Sequence, residues 1–421
     1  MQVIRVLWIT NILFPEVIGK LSGENELKAS GGWMLGAAKA LSEKPEISLY
    51  VATVSSLVKE LIRVDGEKIR YYIIPYGKGN LRDNSEYQKF WTQIKDEISP
   101  DIVHIHGTEF SHGHAYMKAC GSDNVVISIQ GMKSACSFYY YCGMSKCDVY
   151  KNITFRDMLR GTIFKEQRDF KRSSRYEIKM LKMAKHIIGR TSWDRARTWA
   201  INPDAQYHFC NETLREEFYD GSLWDYETCR RHTIFLSQSG YPIKGLHQLL
   251  KAMPLILRHY PDTKIRIAGS DITKCSTLMD FIHFTGYGLY IKRLIKRYGL
   301  KDKVCFVGNL NAEGMKHEYL NCNVFVCPSS IENSPNSLGE AQILGVPCVA
   351  SYVGGVPDMM AGNEENLYRF EEVEMLAAKI SRVFELRNSQ SSMVSIAMER
   401  HDRQNNAQCL IGIYSKIKKN T

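Results

Sequence analysis

The sequence predicts an α/β protein made of two Rossmann-like, doubly wound parallel sheets. Three observations lead there. Short Val- and Ile-rich runs alternate with amphipathic stretches, the pattern of a parallel sheet covered by helices. That alternation starts afresh near Thr233. Finally, 421 residues exceed the size at which one core keeps growing, so two domains are expected.

In the first half, strands are expected at Val3–Thr10, Ile47–Val54, Ile69–Pro75, Ile102–Gly107, Val125–Gly131, His186–Thr191 and Gln206–Cys210. Helices are expected at Gly32–Ser42, Ser56–Ile62, Ser85–Ile98 and through a long basic stretch, 155–186. A loop, Asn11 to Ser30, follows the first strand and leads to Gly31-Gly32 at a helix start, where the backbone can approach a ligand closely. It lacks the Gly-x-Gly-x-x-Gly of a nicotinamide site, which argues against a dehydrogenase. His104 and His106 share one face of a strand, and His106 lies nearer the carboxyl edge, where open sheets bind ligands. The next strand ends in Gln130-Gly131; glutamine can hydrogen-bond a hydroxyl but cannot act as an acid or base. The stretch Met132 to Tyr150, with Tyr139-Tyr140-Tyr141, reads either as an aromatic binding loop or as a packed corner.

In the second half, strands are expected at Thr233–Gln238, Lys264–Gly269, Val304–Gly308, Val324–Cys327, Val346–Ser351 and Leu367–Phe370. Helices are expected at Tyr287–Gly299, Glu313–Asn321 and Glu374–Leu386. Lys244 precedes a helix at the end of the first of these strands, where a cation could neutralise a diphosphate. Asn309 follows a strand end and is expected to shape a nucleotide pocket, as is Gly269. The organising stretch is Pro328 to Asp358. An apolar strand stops at Pro328, a loop carries Glu332, and a helix opens at Ser337-Leu338-Gly339-Glu340 and closes at Gly345. Free amides at such a helix start favour a phosphate group. The alternative for Glu340 is structural, since Ser337 and Glu340 have capping-box spacing.

The whole stretch resembles the donor-site motif of family 4 glycosyltransferases, in Glu332, Glu340, Gly345-Val346-Pro347 and the paired Gly354-Gly355. Asp101-Ile102-Val103-His104-Ile105-His106 and the Lys244-Gly245 pair also fit that family, and Asn211-Glu212-Thr213 resembles its hinge. The resemblance implies a GT-B fold, two domains facing across a cleft: 1–212 as acceptor domain with a terminal helix, 403–421, crossing back onto it, and 213–402 as donor domain. It implies transfer of a sugar, of hexosyltransferase type, from a nucleoside diphosphate sugar to a glycan hydroxyl. Anomeric configuration would be retained, and no metal or other cofactor used, in bacterial polysaccharide biosynthesis. Lys244, Glu332 and His106 would be catalytic. Glu340, Asn336, Ser337, Leu338, Gly31, Gly32, Gly269 and Asn309 would bind the donor, and Gln130 would face the acceptor. Two positions depart from the pattern. Ser239 stands where the family has an arginine, and Gln130 where it commonly has a histidine. Those departures keep open a non-catalytic sugar-nucleotide-binding partner subunit, and another GT-B enzyme such as a nucleotide-sugar epimerase or a phosphorylase is a further alternative.

Composition sets the remaining expectations. Twelve cysteines, mostly single and in apolar strands, suit a reducing cytoplasm, and Cys136, Cys142 and Cys147 lack Cys-x-x-Cys metal spacing. No apolar run reaches membrane-span length, and the first ten residues read as a buried strand and not a signal peptide. The net charge is +10, and in 155–186 basic residues from Arg156 to Lys185 outnumber the acids. That segment reads either as a surface for anionic lipid at the inner membrane face or as a solvated helix, and nothing in the sequence supports nucleic acid as a partner.

Overall fold

The computed structural model describes residues 3–22, 32–76, 85–386 and 391–420. The chain forms two compact units, Met1–Ser134 with Arg172–Glu216 and Arg400–Thr421, and Ala135–Lys171 with Glu217–Glu399.

The first unit holds eight strands: β1 (Ile4–Ile9), β2 (Ile47–Ser55), β3 (Ile62–Asp65), β4 (Arg70–Pro75), β5 (Ile102–His106), β6 (Val125–Ser128), β7 (His186–Gly189) and β8 (Gln206–Phe209). Their order is β3-β4-β2-β1-β5-β6-β7-β8. The chain leaves β1 towards β2 and returns to the other side of β1 with β5, so the switch point lies between β1 and β5. All pairs are parallel except β3 with β4. That exception corrects the helix expected at Ser56–Ile62. The segment is a turn into an edge strand, because Asp65-Gly66 makes a hairpin back to β4. The loop expected at Asn11 to Ser30 contains helix α1 (Pro15–Ser22), and Gly31 lies outside the described residues. Helix α2 (Gly32–Ser42) begins at Gly32, where a Cβ would press on the Arg215 side chain.

The core of this unit is tied to the C-terminal helix Arg403–Asn420. The Tyr414 hydroxyl accepts from Trp8 Nε1 at 3.0 Å and lies 2.6 Å from His104 Nδ1, all three side chains being buried. His104 is therefore a core histidine.

Residues 135–171, placed in the first domain by the sequence, cluster with the second unit. Backbone anchors explain it. The Cys142 carbonyl lies 2.7 Å from His247 Nε2, the Tyr139 carbonyl accepts from Ser330 Oγ at 2.8 Å, and Thr154 Oγ1 donates to the Phe284 carbonyl at 2.7 Å. Tyr140 is buried against Phe170, so 132–150 is mostly a packed corner. The basic stretch is two helices, α3 (Phe155–Arg160) and α4 (Ile163–Met183), broken at Gly161 with φ +94°. The apolar residues of α4 are packed, Met180 and Leu181 in the interior and Phe164 against Tyr141 and Tyr150.

The second unit's sheet comprises β9 (Thr233–Leu236), β10 (Lys264–Ala268), β11 (Val304–Gly308), β12 (Val324–Cys327), β13 (Cys348–Ser351) and β14 (Leu367–Tyr368). The order is β11-β10-β9-β12-β13-β14, with all strand pairs parallel. Its switch point lies between β9 and β12. Helices α5 (Leu278–His283), α6 (Gly286–Arg297) and α7 (Asn336–Ile343) belong to this unit.

Buried histidines make the fold acid-sensitive. Burial pushes His104 down to about 3 and His247 and His401 down to about 4. The unfolded chain takes up these protons near the ordinary value of about 6.5, the folded chain only well below it. Stability is therefore full above pH 6.5 and falls as the pH drops towards 4, by up to about 1.4 kcal/mol per pH unit for each histidine. A melting temperature that falls steadily from pH 7 to 5, above most carboxylate titration, is expected; a flat profile would refute the assignment.

Candidate functional site

In the second unit, the β9/β12 switch point collects the residues that the sequence singled out. A single 3₁₀ turn, Pro242–Lys244, follows β9 and ends at Gly245, whose φ is +73°. A side chain at Gly245 would overlap the Pro328 carbonyl, so glycine lets the turn press against the end of β12. The result is an ion pair. Lys244 Nζ lies 2.6 Å from Glu332 Oε1, with the two side chains 13% and 14% exposed. Ser329 Oγ donates to the same carboxylate oxygen at 2.8 Å. Burial works to lower the Lys244 ammonium, but the Glu332 carboxylate and Tyr241 outweigh it and hold the group well above its ordinary value. The lysine is thus a fixed cation at neutral pH.

The Glu332 loop is clamped from β13. Gly355 N–H donates to the Glu332 carbonyl at 3.1 Å, and Gly354, φ +54°, sits so close that a side chain would overlap that carbonyl. Further out on the same edge, Gly269 follows β10 and Gly308 ends β11, both with positive φ, and the Gly269 amide donates to the Gly308 carbonyl at 2.8 Å. Asn309 is exposed next to them.

Helix α7 opens one residue earlier than the sequence suggested. Its N-cap is Pro335, with no side-chain cap, so Ser337 and Glu340 do not form a capping box. The Leu338 and Gly339 amides both donate to the Pro335 carbonyl, at 2.9 and 3.3 Å. Among the described residues, this leaves the Asn336 and Ser337 amides as the first-turn donors not taken by backbone. The Leu338 amide is less available to a phosphate than expected. Asn336 Oδ1 is buried without a partner, Ser337 is half-buried, and Glu340 is 4% exposed. Ser239 is buried and brings no cation.

In the first unit, β5 and β6 carry His106 and Gln130. His106 is not at an open edge. It is buried, stacked on His104 at 3.9 Å between ring centroids and tilted on Trp8 at 4.2 Å. Burial, then His104 and Arg190, hold its imidazole well below the ordinary range, so it is neutral at pH 7. Among the described residues neither ring nitrogen has a partner, and His106 lines a cavity of about 40 Å³ together with Ser128 and Arg190. That is room for a water molecule or two. Arg190 pairs with Glu212 of the predicted hinge and donates to the Ile129 carbonyl at 2.6 Å.

Sequence reasoning passed over two carboxylates here. Glu177 in α4 is fully buried and accepts from the Lys133 and Ser134 amides, at 2.7 and 3.0 Å, fixing the loop after Gln130. Glu109 accepts from the Gly131 amide at 2.8 Å and keeps one buried oxygen unpartnered, and burial raises its carboxyl. The available signal was position: Glu109 stands three residues past His106, at the same strand end. Among the described residues, no group of His, Cys, Asp or Glu has metal-site geometry, and Cys136, Cys142 and Cys147 are free thiols.

Comparisons with known proteins agree with this architecture. The chain superposes over 99% of its length on all of sucrose-phosphate synthase from Thermosynechococcus elongatus, with a TM-score of 0.68 at 16% identity. It likewise superposes over 98% of its length on all of the Anabaena protein HepE, solved in complex with UDP, with a TM-score of 0.64 at 14% identity. These likenesses establish the GT-B fold. In sequence, it is 32% identical over 117 residues to an uncharacterized glycosyltransferase of Methanocaldococcus jannaschii, 28% of this chain and 26% of that protein. The alignment thus spans about a quarter of that relative. Residues 230–400, which hold Lys244, Glu332 and helix α7, match the family described as Glycosyl transferases group 1. The second unit thus contains the segment that matches Glycosyl transferases group 1, in a chain of GT-B fold.

Proposed function

We propose that this chain is a glycosyltransferase of family 4 that moves a sugar from a nucleoside diphosphate sugar to a glycan hydroxyl, with retention at the anomeric carbon. The observation that carries the reading is the buried Lys244–Glu332 pair at the β9/β12 switch point, beside the amino terminus of α7. When the sugar leaves, negative charge builds on the diphosphate. A preorganised ammonium and the free amides of Asn336 and Ser337 stabilise that charge without reorganising. Lys244 is the cation in this scheme, and no metal step is required. Glu332 orients the sugar, and Glu340, buried in the first turns of α7, binds the ribose. Gly269, Asn309 and Gly32 serve the donor side in this reading, and Gln130 the acceptor side. His106, neutral and buried, is a weak base on that side that can hydrogen-bond. The free thiols fit a cytoplasmic enzyme.

The second reading, a sugar-nucleotide binder without turnover, is favoured by one pair of observations: Ser239 brings no arginine and Gln130 no acid or base.

Thermal shift with nucleoside diphosphates and their sugars separates these, starting with the uridine compounds because a structural neighbour was solved with UDP. Stabilisation of the wild type should be lost in Glu340→Ala, whose affinity should fall about tenfold or more as a charge-assisted hydrogen bond disappears. An unchanged response in Glu340→Ala would remove its ribose role. Binding without product release, across donors and glycan acceptors, would favour the non-catalytic reading.

A further inference from the structure

Helices α3 and α5 expose side chains that a surface facing only water does not need. On α3, Met158 is 71% and Leu159 67% exposed; on α5, Leu278 is 75% and Met279 62% exposed. Phe155, Met158 and Leu159 have the three- and four-residue spacing of one helix face. The two helices are joined, since the Phe155 and Phe281 rings stack at 5.8 Å and Thr154 Oγ1 reaches the Phe284 carbonyl. One apolar ridge results.

The rim of the ridge is cationic. Arg160 closes α3, and Lys165 Nζ donates to its carbonyl at 2.7 Å. Lys292 of α6 lies 5.7 Å from the Phe284 ring, and α6 also carries Arg293, Lys296 and Arg297 with no acid. The acids on the two ridge helices are occupied. Asp157 and Asp280 each close a capping box on their own helix. Helix α4, the strongest basic signal in the sequence, has its apolar residues packed away and adds charge without an inserting face.

We propose that the α3–α5 ridge docks on an anionic lipid surface, with Met158, Leu159, Leu278 and Met279 entering the headgroup boundary and Arg160, Lys165 and Lys292 meeting lipid phosphates. Charge complementarity selects this occupant over a second copy of the chain. A two-fold contact would set one cationic rim against another. The docking concerns where the protein works and does not depend on the transferase reading.

The test is co-sedimentation of the full chain with vesicles of phosphatidylcholine alone or with phosphatidylglycerol. Binding is expected only with the anionic lipid, and weaker at about 1 M salt, where the screening length is about 3 Å. Replacing Met158, Leu159, Leu278 and Met279 together by Ser should lower vesicle affinity about tenfold or more. Arg172→Glu with Arg175→Glu on exposed parts of α4 should lower it less. The proposal is overturned if neither vesicle binds, if the serine variant binds like wild type while the α4 reversal abolishes binding, or if the same serines break up a dimer instead. Nucleotide-induced thermal shift, preserved in the serine variant, shows that the fold and donor site survive; its absence from the wild type would sink the transferase reading while leaving the vesicle result to stand alone.

Discussion

Lys244→Ala should lower kcat/KM for the sugar nucleotide by about 10²–10³-fold, most of it in kcat, as when one preorganised donor to a developing anion is removed. Two effects of the substitution must be separated. One is the loss of the cation; the other is the isolation of Glu332, whose carboxylate would lose its partner while only 14% exposed. Breaking a buried pair from one side costs about 3–5 kcal/mol of stability. The double variant Lys244→Ala, Glu332→Gln removes the uncompensated charge, so it should melt closer to the wild type yet remain inactive. Lys244→Arg keeps the charge but not the compact ammonium geometry, and should recover part of the rate. Activity of Lys244→Ala within threefold of wild type, in initial-rate assays of nucleoside diphosphate release, would end the catalytic assignment of this residue.

Gly354→Ala is expected to disable the same site from behind. Two costs combine there. A left-handed backbone position disfavours any L side chain by about 1–2 kcal/mol, and the new methyl would overlap the Glu332 carbonyl that Gly355 N–H now binds. The Glu332 loop has to shift, taking its carboxylate away from Lys244. Gly221, φ +84° with open space around it, provides the comparison. Gly221→Ala pays the backbone cost alone, about 1–2 kcal/mol, and should leave nucleotide binding intact. Gly354→Ala should lose about 3 kcal/mol or more and the nucleotide response with it. Equal urea midpoints for the two variants would show that the Glu332 loop yields freely, and the clamp from β13 would not exist.

Much of the candidate site was legible because its residues are local in sequence. Glu332, the opening of α7 and the paired glycines fall within 31 consecutive residues, and strand ends and helix starts leave strong marks in composition. Lys244 could be placed at the end of β9 by the same logic. What pattern could not give was the distance. Eighty-eight residues separate Lys244 from Glu332, and only the adjacency of β9 and β12, with Gly245 tight against Pro328, brings their charges to 2.6 Å.

The sequence alone thus determined the α/β class, the restart near Thr233, most strands, and which segment opens a helix at the sheet's carboxyl edge, since these follow from periodicity and turn chemistry that act over a few residues. Tertiary structure decided the rest. It turned Ser56–Ile62 into the approach to an edge strand, because pairing with β4 overrides local helix preference. It drew residues 135–171 into the second unit through the Cys142, Tyr139 and Thr154 anchors. It buried His106 against Trp8 and His104, making neutral a group that alternation alone would leave at an accessible edge. It also broke the basic stretch at Gly161, packed the apolar residues of α4 away and left those of α3 exposed beside α5. Each of these outcomes depends on which distant surfaces exclude water from one another, and that is a property of the packed chain, not of any window along it.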